Sequence, residues 1–278
     1  MDQSSDSPDP APPDSHYEHY LRTVQYARPD NLNARLRLHA KYSTSPVSWF
    51  AWLHQQVTWS GVHEVLDVGC GTGLFWSTLP QPLDEVHLTL ADVSHSMIET
   101  SLIAAGGRVA HVRGVEANVQ NLPFGDSSFD VVVANHMLYH ASDPKRALDE
   151  IRRVLRPKGL LVASTIGREH LTELARIERA VFTVMRTRIL GDIFGPVSGM
   201  ALLEQHWDSV EWRAFNDHLR CTDVEDVLAY VTSIPPGSRA TPDELDSLRK
   251  EIERQMEQGG GALHVTKESG VFLARGSA

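Results

Sequence analysis

The chain has 278 residues, of which 41% are hydrophobic, enough to bury one full domain core with additions. Its formal net charge of −10 disfavours nucleic acid as a partner, because the phosphate backbone would be repelled. The two cysteines, Cys70 and Cys221, form no disulfide framework or zinc motif, which favours a cytoplasmic location. We expect neither a signal peptide nor membrane association, because the N-terminus lacks a signal pattern and no apolar run approaches the ~18–20 residues of a membrane span.

The N-terminal segment divides into a polar tail and a helical region. Residues 1–15 are rich in proline, aspartate and serine, which predicts disorder. Leucines recur near helical spacing between residues 31 and 42. Ser45 and Pro46 then have the pattern of an N-cap followed by an N1 proline, and they predict a helix that ends before Gly61.

Strand-like and helical patterns alternate through the middle of the chain. The strand-like runs cover 64–68, 86–91, 109–113, 129–134 and 159–165, and the helical patterns cover 75–78, 94–105 and 144–155. Strands of this kind are almost continuously apolar, which is typical of a parallel sheet buried on both faces. The pattern therefore predicts an α/β fold with helices on both faces of the sheet.

The alternation stops after residue 168. Residues 169–190 predict one long amphipathic helix, followed by an irregular stretch over 191–199 and a strand over 209–216. Two capping boxes, Thr222 with Glu225 and Thr241 with Glu244, predict the starts of two further helices. The last residues, 259–275, predict two short strands that close one edge of the sheet.

The first strand ends in VLDVGCGTGLFW, which contains three glycines in five positions. Such a corner lies at the carboxyl end of a parallel strand, where ligands bind, and glycine lets a ligand approach the backbone. A dinucleotide site requires a third glycine at the position of Leu74, so a pyrophosphate ligand is disfavoured. The alternative is a plain strand-to-helix turn.

Two acidic residues narrow the choice of ligand. Asp92 ends the second strand and suits a bidentate hydrogen bond to ribose hydroxyls, although it could also cap the helix that follows. Asp67 lies in an apolar strand, where an unpaired carboxylate is costly. Its partner is expected to be either a cationic or water-bridged amino group of a ligand, or the backbone N–H groups of the glycine loop.

Four segments carry a resemblance to a known family: VLDVGCGTG, ADVSHSM, VQNLPFGDSSFDVVVANHMLYH and LDEIRRVLRPKGLLV. In this order, the segments resemble class I S-adenosylmethionine-dependent methyltransferases, most closely the ubiquinone/menaquinone-type and natural-product branch. The resemblance covers residues 60–168 strongly. It implies a Rossmann-like, mostly parallel seven-stranded sheet with an N-terminal helical region and a helical cap inserted after strand five. The implied segments are a tail (1–15), an N-terminal helical lid (16–60), the cofactor-binding core (61–168), a cap (169–208) and a C-terminal completion of the sheet (209–278).

The resemblance also implies how S-adenosylmethionine, or its product S-adenosylhomocysteine, is held. The glycines flank the methionine part, Asp67 lies near the amino group, Asp92 holds the ribose, and Val93 and Met97 lie beside the adenine. Asn118 stands where the family often has an acid, so the Val119 backbone is expected to contribute more to adenine binding. The full set of implied cofactor residues is Asp67, Gly69, Cys70, Gly71, Gly73, Asp92, Val93, Met97, Asn118, Val119, Asn135 and Met137.

Three residues just past strand four, His136, Tyr139 and His140, are candidates for catalysis. We expect His140 to be the general base, because imidazole titrates near working pH. Two alternatives remain open. In one, His140 is a structural hydrogen-bonding residue; in the other, His136 and His140, spaced i and i+4, hold a metal for which no third ligand is evident. We therefore expect no metal.

The acceptor is expected to be covered by parts of the chain outside the sheet. Tyr17, Tyr20 and Tyr42 are candidates for an aromatic lid, and Arg186 could contact an acidic group of the substrate. The expected function is methylation of a small organic molecule, secondary-metabolite or quinone-like, on oxygen rather than on carbon or nitrogen. The alternatives are a nucleic-acid methyltransferase, for which NHMLYH lacks the expected prolines, and a non-catalytic cofactor-binding regulator. The sequence does not distinguish a monomer from a homodimer.

Overall fold

The strand that ends in the glycine corner lies at the centre of the sheet. The computed structural model describes residues 29–183 and 190–276, with the side chains of the first helix described from Arg35 onward. Within this part of the chain, β1 (Glu64–Val68) pairs in parallel with β2 (Leu83–Asp92) on one side and with β4 (Phe129–Asn135) on the other. The carboxyl ends of these three strands therefore meet at one edge of the sheet.

Seven strands form the sheet in the order β3-β2-β1-β4-β5-β7-β6, with β3 at Val109–Glu116, β5 at Leu155–Ile166, β6 at Ser209–Cys221 and β7 at Leu263–Arg275. β7 runs antiparallel to both of its neighbours, and the other strands are parallel. This is the mostly parallel, seven-stranded α/β fold that the sequence predicted. The strand order reverses beside β1, which is where open α/β sheets bind ligands.

Helices cover both faces of the sheet. The α-helices are α1 (Pro29–Tyr42), α2 (Trp49–His54), α3 (Leu74–Ser77), α4 (His95–Ala105), α5 (Pro144–Val154), α6 (Thr172–Val181), α7 (Leu190–Phe194), α8 (Pro196–Leu203), α9 (Val224–Val231) and α10 (Pro242–Gln258). In the described ranges, no helix has the length and the apolar character that a bilayer crossing requires.

Alternation along the strands divides the apolar residues between two cores. In β1, Leu66 and Val68 belong to the core beneath α5, whereas Val65 belongs to the core that contains Trp76 of α3. Successive side chains of a strand point to opposite faces, so an apolar strand in the middle of a sheet packs on both. β1 is therefore fixed from two sides, and the corner that follows it is held rigidly.

A third core lies beyond the end of β5. It joins α1, α6, α9 and α10 to the far ends of β6 and β7, where Cys221 pairs with Leu263. We call these four helices the helical cap. The cap thus draws on three separate parts of the sequence, and the predicted cap segment 169–208 supplies only α6. α7 and α8 instead pack on the sheet, because Phe194 and Leu203 are buried in its core.

The predicted helix over 169–190 is wrong as a single element. α6 ends at Val181, and Phe182 has extended backbone dihedral angles. Ile177 and Phe182 are buried in the core of the cap, whereas Phe194 of α7 is buried in the sheet core. The predicted helix therefore ends early, at Val181. The stretch predicted to be irregular, 191–199, is mostly helical, because it contains parts of α7 and α8.

The two predicted C-terminal strands are one continuous strand, β7, which lies inside the sheet while β6 forms its edge. Within β7, a Cβ at Gly270 would lie 2.6 Å from the indole ring of Trp212 on β6. The glycine therefore accommodates a close side-chain approach within the strand. β6 itself extends to Cys221, beyond its predicted end.

Two helix starts differ from the prediction. Ser48, and not Ser45, is the N-cap of α2, and its hydroxyl accepts the Ala51 N–H. Asp223, and not Thr222, caps α9 by accepting two backbone N–H groups. The capping box of Thr241 and Glu244 was predicted correctly. Side-chain hydroxyls and carboxylates compete for the same cap position, and local geometry decides which one takes it.

Gly73 is expected to be essential for the packing of the corner. Its φ is +71°, and a Cβ there would lie 2.7 Å from Cα of Ser101 in α4. Gly73→Ala should lower the free energy of unfolding by about 2–5 kcal/mol, because it combines left-handed strain with overpacking. Gly107→Ala is the matched control, since its φ is +75° but nothing lies within 4 Å of the added atom. Urea unfolding followed by tryptophan fluorescence measures both, and equal losses would contradict the packing role.

Candidate active site

A cavity of about 290 Å³ opens at the carboxyl ends of β1, β2 and β4. It is lined by every predicted cofactor residue except Gly73. Sequence reasoning missed several other lining residues. Most of them flank the predicted residues within the quoted segments, and four, Leu36, Phe50, Ala117 and Ala141, lie outside those segments. The missed residues are Leu36, Phe50, Val68, Thr72, Leu74, Phe75, Ala91, Ser94, Ala117, Gln120, Leu122 and Ala141.

The three glycines of the corner have three different functions. All have positive φ, at +65° for Gly69, +53° for Gly71 and +71° for Gly73. A Cβ on Gly69 would lie 2.8 Å from Cβ of Met137, so this glycine admits the segment that follows β4. A Cβ on Gly71 would meet nothing within 4 Å, so its backbone borders open space in the cavity. Gly73 serves the packing of α4 and does not line the cavity.

Asp67 is a buried carboxylate that is only half satisfied. Its Oδ2 accepts the indole N–H of Trp76 at 2.7 Å. Its Oδ1 is buried and has no hydrogen-bond partner among the described residues. Burial raises the pKa of Asp67 to about 7, an effect that the Trp76 N–H opposes and the Asp92 charge reinforces. The backbone N–H groups of the glycine loop are not the partner of Asp67, and the unpaired oxygen suits a ligand's ammonium group.

Asp92 is held by the backbone at the end of β2. Its Oδ2 accepts the N–H of Gly71 at 3.1 Å, and its Oδ1 accepts the N–H of Ser94 at 2.9 Å. Each carboxylate oxygen has a second lone pair, so both can still accept from a ligand. Burial raises the pKa of Asp92, and the hydrogen bonds from the backbone partly offset this rise. Asp92 therefore connects the glycine loop to α4 and presents two acceptors at the cavity.

The Asn118 side chain is already engaged. Its Oδ1 accepts the backbone N–H of Gln120 at 2.9 Å, which forms a local turn. This leaves less capacity for the hydrogen bond to an adenine amino group that the resemblance implies. Val119, which also lines the cavity, provides apolar surface in the same segment.

The end of the cavity beyond β4 is formed by Asn135 and His136. The His136 N–H bonds both the carbonyl and the hydroxyl oxygen of Ser164, at 3.1 Å each. These bonds hold His136 at φ +51°, an unfavourable value for a residue with a side chain. Burial, and secondarily the charge of Lys267, lowers the pKa of His136 to about 4. The imidazole is therefore neutral at pH 7.

The other two catalytic candidates lie on a 3₁₀ turn over Leu138–His140. His140 lines the cavity together with His136. Tyr139 instead is buried in the sheet core and does not line the cavity, although its ring lies 4.7 Å from that of His140. Among residues 29–183 and 190–276, no group of three potential ligands has the arrangement of a metal site.

The predicted substrate residues are less well placed. Tyr42 is buried in the core of the cap and donates its hydroxyl to Asp226 at 2.8 Å, so it does not reach the cavity. Its position on α1 faces α9, which sequence alone did not show. Tyr17, Tyr20 and Arg186 lie outside the described residues. The ring of Trp49 on α2 lies 5.1 Å from that of His136, tilted by 39°, and so borders the predicted reactive end.

Residues 66–163 match the protein family described as "Methyltransferase domain". The chain is similar to a malonyl-[acyl-carrier protein] O-methyltransferase of Hahella chejuensis, with 38% identity over 40% of this chain and 39% of that protein. It is also similar to the ubiquinone/menaquinone biosynthesis C-methyltransferase UbiE of Vibrio campbellii, with 34% identity over 41% of this chain and 45% of the relative. The matched part thus spans less than half of each relative.

A solved structure shares the fold over nearly the whole chain. The structure of the 4+2 cyclase SpnF aligns with a TM-score of 0.51 and 16% identity, covering 98% of this chain and 100% of that one. S-adenosylmethionine is the methyl donor of the methyltransferase family, and the cavity fits it. Oδ1 of Asp67 lacks a partner, Gly71 borders open space, and Asp92 offers two acceptors.

Cofactor affinity should depend on pH through Asp67. With a pKa of about 7, Asp67 is mostly protonated below pH 7, and an ammonium ligand must displace that proton. Affinity for S-adenosylhomocysteine should therefore fall about tenfold per pH unit below pH 7, be highest at pH 7–8, and weaken above ~8 as the ligand's amino group deprotonates. Isothermal titration calorimetry from pH 5.5 to 8.5 measures this. Asp67→Asn is the isosteric control, expected to bind weakly and without pH dependence between 5.5 and 7. A wild-type affinity that is constant over that range would exclude the contact.

Proposed function

We propose that this chain, whose residues 66–163 form a class I S-adenosylmethionine-dependent methyltransferase domain, methylates an oxygen atom of a small organic molecule. The observation that carries the proposal is the arrangement of one cavity. Asp67 and Asp92 lie where the ligand's amino and hydroxyl groups can be held, and His136 and His140 line the same cavity. The acceptor is proposed to be a secondary metabolite or a quinone-like molecule.

The first contribution of the chain is to orient the donor. Asp67 and Asp92 are fixed by Trp76, Gly71 and Ser94, so neither carboxylate has to reorganise when a ligand binds. When bound, S-adenosylmethionine supplies an electrophilic methyl group on a sulfonium. Displacement at that carbon requires the acceptor atom in line with it and water kept away. Phe50, Phe75 and Met137 provide apolar walls that exclude water.

The second contribution is to receive a proton. When a hydroxyl is methylated, the new C–O bond uses an oxygen lone pair, the C–S bond pair stays on sulfur, and the hydroxyl proton leaves. His140 is the proposed acceptor of this proton, and it lines the cavity. His136 is neutral, but with a pKa of about 4 it accepts a proton poorly at pH 7. Its role is better explained as a hydrogen-bonding wall of the acceptor site.

We propose oxygen as the atom that is methylated. Of the two relatives, one is named an O-methyltransferase and the other a C-methyltransferase, and each match covers less than half of both chains. Two histidines at the cavity favour an acceptor with a proton to lose, which is a hydroxyl or an acidic carbon. Oxygen is preferred because its proton is removed more readily.

A second candidate function is cofactor binding without methyl transfer. The fold by itself does not require transfer, since a chain of the same fold is described as a cyclase. In that case the cavity would bind the cofactor as a structural group, and the histidines would serve another purpose. This candidate predicts calorimetric binding of S-adenosylhomocysteine and no movement of the methyl group.

Methyl transfer can be tested directly. We expect label from methyl-tritiated S-adenosylmethionine to appear in a member of a panel of hydroxylated aromatics, quinols and hydroxyquinones, separated by chromatography. Asp92→Ala should abolish transfer, because it removes both acceptors at the end of β2 while leaving the strand intact. Binding of S-adenosylhomocysteine by the wild-type protein without label in any product would favour the second candidate.

His140→Ala should separate catalysis from cofactor binding. Loss of a general base typically costs 10²–10⁴ in rate, so we expect turnover of the labelled acceptor to fall by about 100-fold. The affinity for S-adenosylhomocysteine should change little. His111→Ala on the exposed strand β3 is the matched control and should be fully active. A His140→Ala variant with the wild-type rate would make His140 a structural residue.

A further inference from the structure

Three histidines from separate parts of the chain gather beside the reactive end of the cavity. His39 lies on α1 one turn beyond Leu36, which lines the cavity. The ring of His39 stacks on that of His170 at 6.1 Å, just past β5. Both rings are close enough to His136 that a charge on His136 would lower their pKa values. The cluster therefore continues the cavity wall from His136 towards the cap.

Trp49 and Asn135 complete this surface. The Trp49 ring packs at a tilt against that of His136, and it also contacts Phe215 on β6 edge-on at 5.3 Å. Asn135 precedes His136 and lines the cavity. We call the five residues the acceptor wall; they are His39, Trp49, Asn135, His136 and His170.

Four polar atoms of the acceptor wall are buried and have no hydrogen-bond partner within the described ranges. They are Nδ1 of His39, Nε1 of Trp49, Nδ2 of Asn135 and Nδ1 of His170. Such atoms are rare in folded proteins, because a polar group that is buried without a partner loses the hydrogen bonds it made to water. Four of them in one place indicate that a polar ligand belongs there.

The chemical character of these atoms is set by their neighbours. The indole N–H of Trp49 can only donate. The Ser164 hydroxyl donates to Oδ1 of Asn135 at 3.2 Å, so the amide presents its N–H₂ group as a donor. The His170 ring bonds the Glu268 backbone, which leaves its unpartnered Nδ1 as an acceptor. The wall thus offers two donors and one acceptor, the complement of a carbonyl or oxyanion beside a hydroxyl.

The charges around the wall favour the same class of ligand. Lys267 on β7 lowers the pKa values of all three histidines, after burial, which is the larger cause. Arg35 lowers the pKa of His39 and Asp217 raises it. Asp217 is committed to Lys267 and to the backbone of Thr44 and Ser45, and Glu268 accepts the Glu169 N–H. An ammonium group would therefore meet neutral imidazoles and a fixed cation.

We propose that the acceptor wall binds the methyl acceptor and selects a hydroxy-carbonyl compound, such as an enol or phenol beside a carbonyl group, over an amine. This inference rests on the proposed function and specifies its substrate class. The carbonyl or ionised oxygen accepts from Trp49 and Asn135, and the hydroxyl donates to His170. Because the four atoms are closed to water, the ligand must displace the stacked rings slightly to reach them.

The indole N–H of Trp49 provides a direct reporter. Protein saturated with S-adenosylhomocysteine is titrated with 5-hydroxy-2,3-dimethyl-1,4-naphthoquinone, whose phenol beside a carbonyl keeps its proton at pH 7, or with 2-(aminomethyl)naphthalene, and indole ¹H–¹⁵N resonances are recorded. Trp49→Phe assigns the signal. We expect the hydroxyquinone to shift the Trp49 signal downfield and to bind at least tenfold more tightly than the amine.

Two variants test the histidines without touching the residues that line the cofactor cavity. His170→Phe should weaken binding of the hydroxyquinone about tenfold, because it removes the nitrogen that accepts from the ligand's hydroxyl. His39→Phe replaces a ring that stacks on His170 but has no proposed contact with the ligand, so it should change this affinity much less. His111→Phe on exposed β3 is the matched control and should have no effect. Unchanged calorimetric affinity for S-adenosylhomocysteine shows that each variant is folded.

The outcomes distinguish the two proposals. Equal or tighter binding of the amine would overturn the substrate class, as would hydroxyquinone binding that leaves the Trp49 signal in place. If S-adenosylhomocysteine binds but neither probe does, the acceptor wall is not the binding site. If S-adenosylhomocysteine itself does not bind, the proposed function fails first.

Discussion

The hydrogen bond from the Trp76 indole to Asp67 holds the corner on which the site depends. It joins the end of β1 to α3 across the glycine loop and is buried between two packed layers. Only a fixed donor makes a carboxylate tolerable at this depth, and it satisfies just one of the two oxygens. The bond thus stabilises the turn and at the same time leaves an acceptor facing the cavity. Under the proposed function, the Asp67 side chain therefore both stabilises the turn and binds the ligand.

A second constraint is the long antiparallel pair of strands β6 and β7. Its ends extend past β5 and carry the helical cap, which brings α1 and α6 next to the loop after β4. The buried ion pair of Lys267 and Asp217 joins these two strands. Asp217 also accepts hydrogen bonds from Ser43, Thr44 and Ser45. Such a pair contributes little net stability, but it fixes how the segment before α2 lies against the sheet. Trp49 is positioned as a consequence.

Local patterns predicted the sheet core well. β1 was predicted with its observed bounds, and β2, β4 and α4 within a few residues. Each of these elements has a clear local pattern of apolar residues. The elements that were predicted wrongly are those whose role depends on a distant partner. The two predicted C-terminal strands form the single strand β7, in which Gly270 accommodates the ring of Trp212 on β6. The predicted helix over 169–190 ends at Val181, and Ile177 and Phe182 at this end are buried in the core of the cap.

One half of the cavity could be located from the sequence, because it is formed by strand ends and the loops next to them, within short stretches of chain. The lining residues predicted in this way include Asp67, Gly69, Gly71 and Asp92. The other half, which we propose as the acceptor side, follows from the tertiary structure. Its residues come from four separate parts of the chain: His39, Trp49, His136 and His170. They lie close together because of the way the cap packs on β6 and β7. No local pattern encodes such a meeting, since it results from the burial of apolar surfaces that are far apart in the chain.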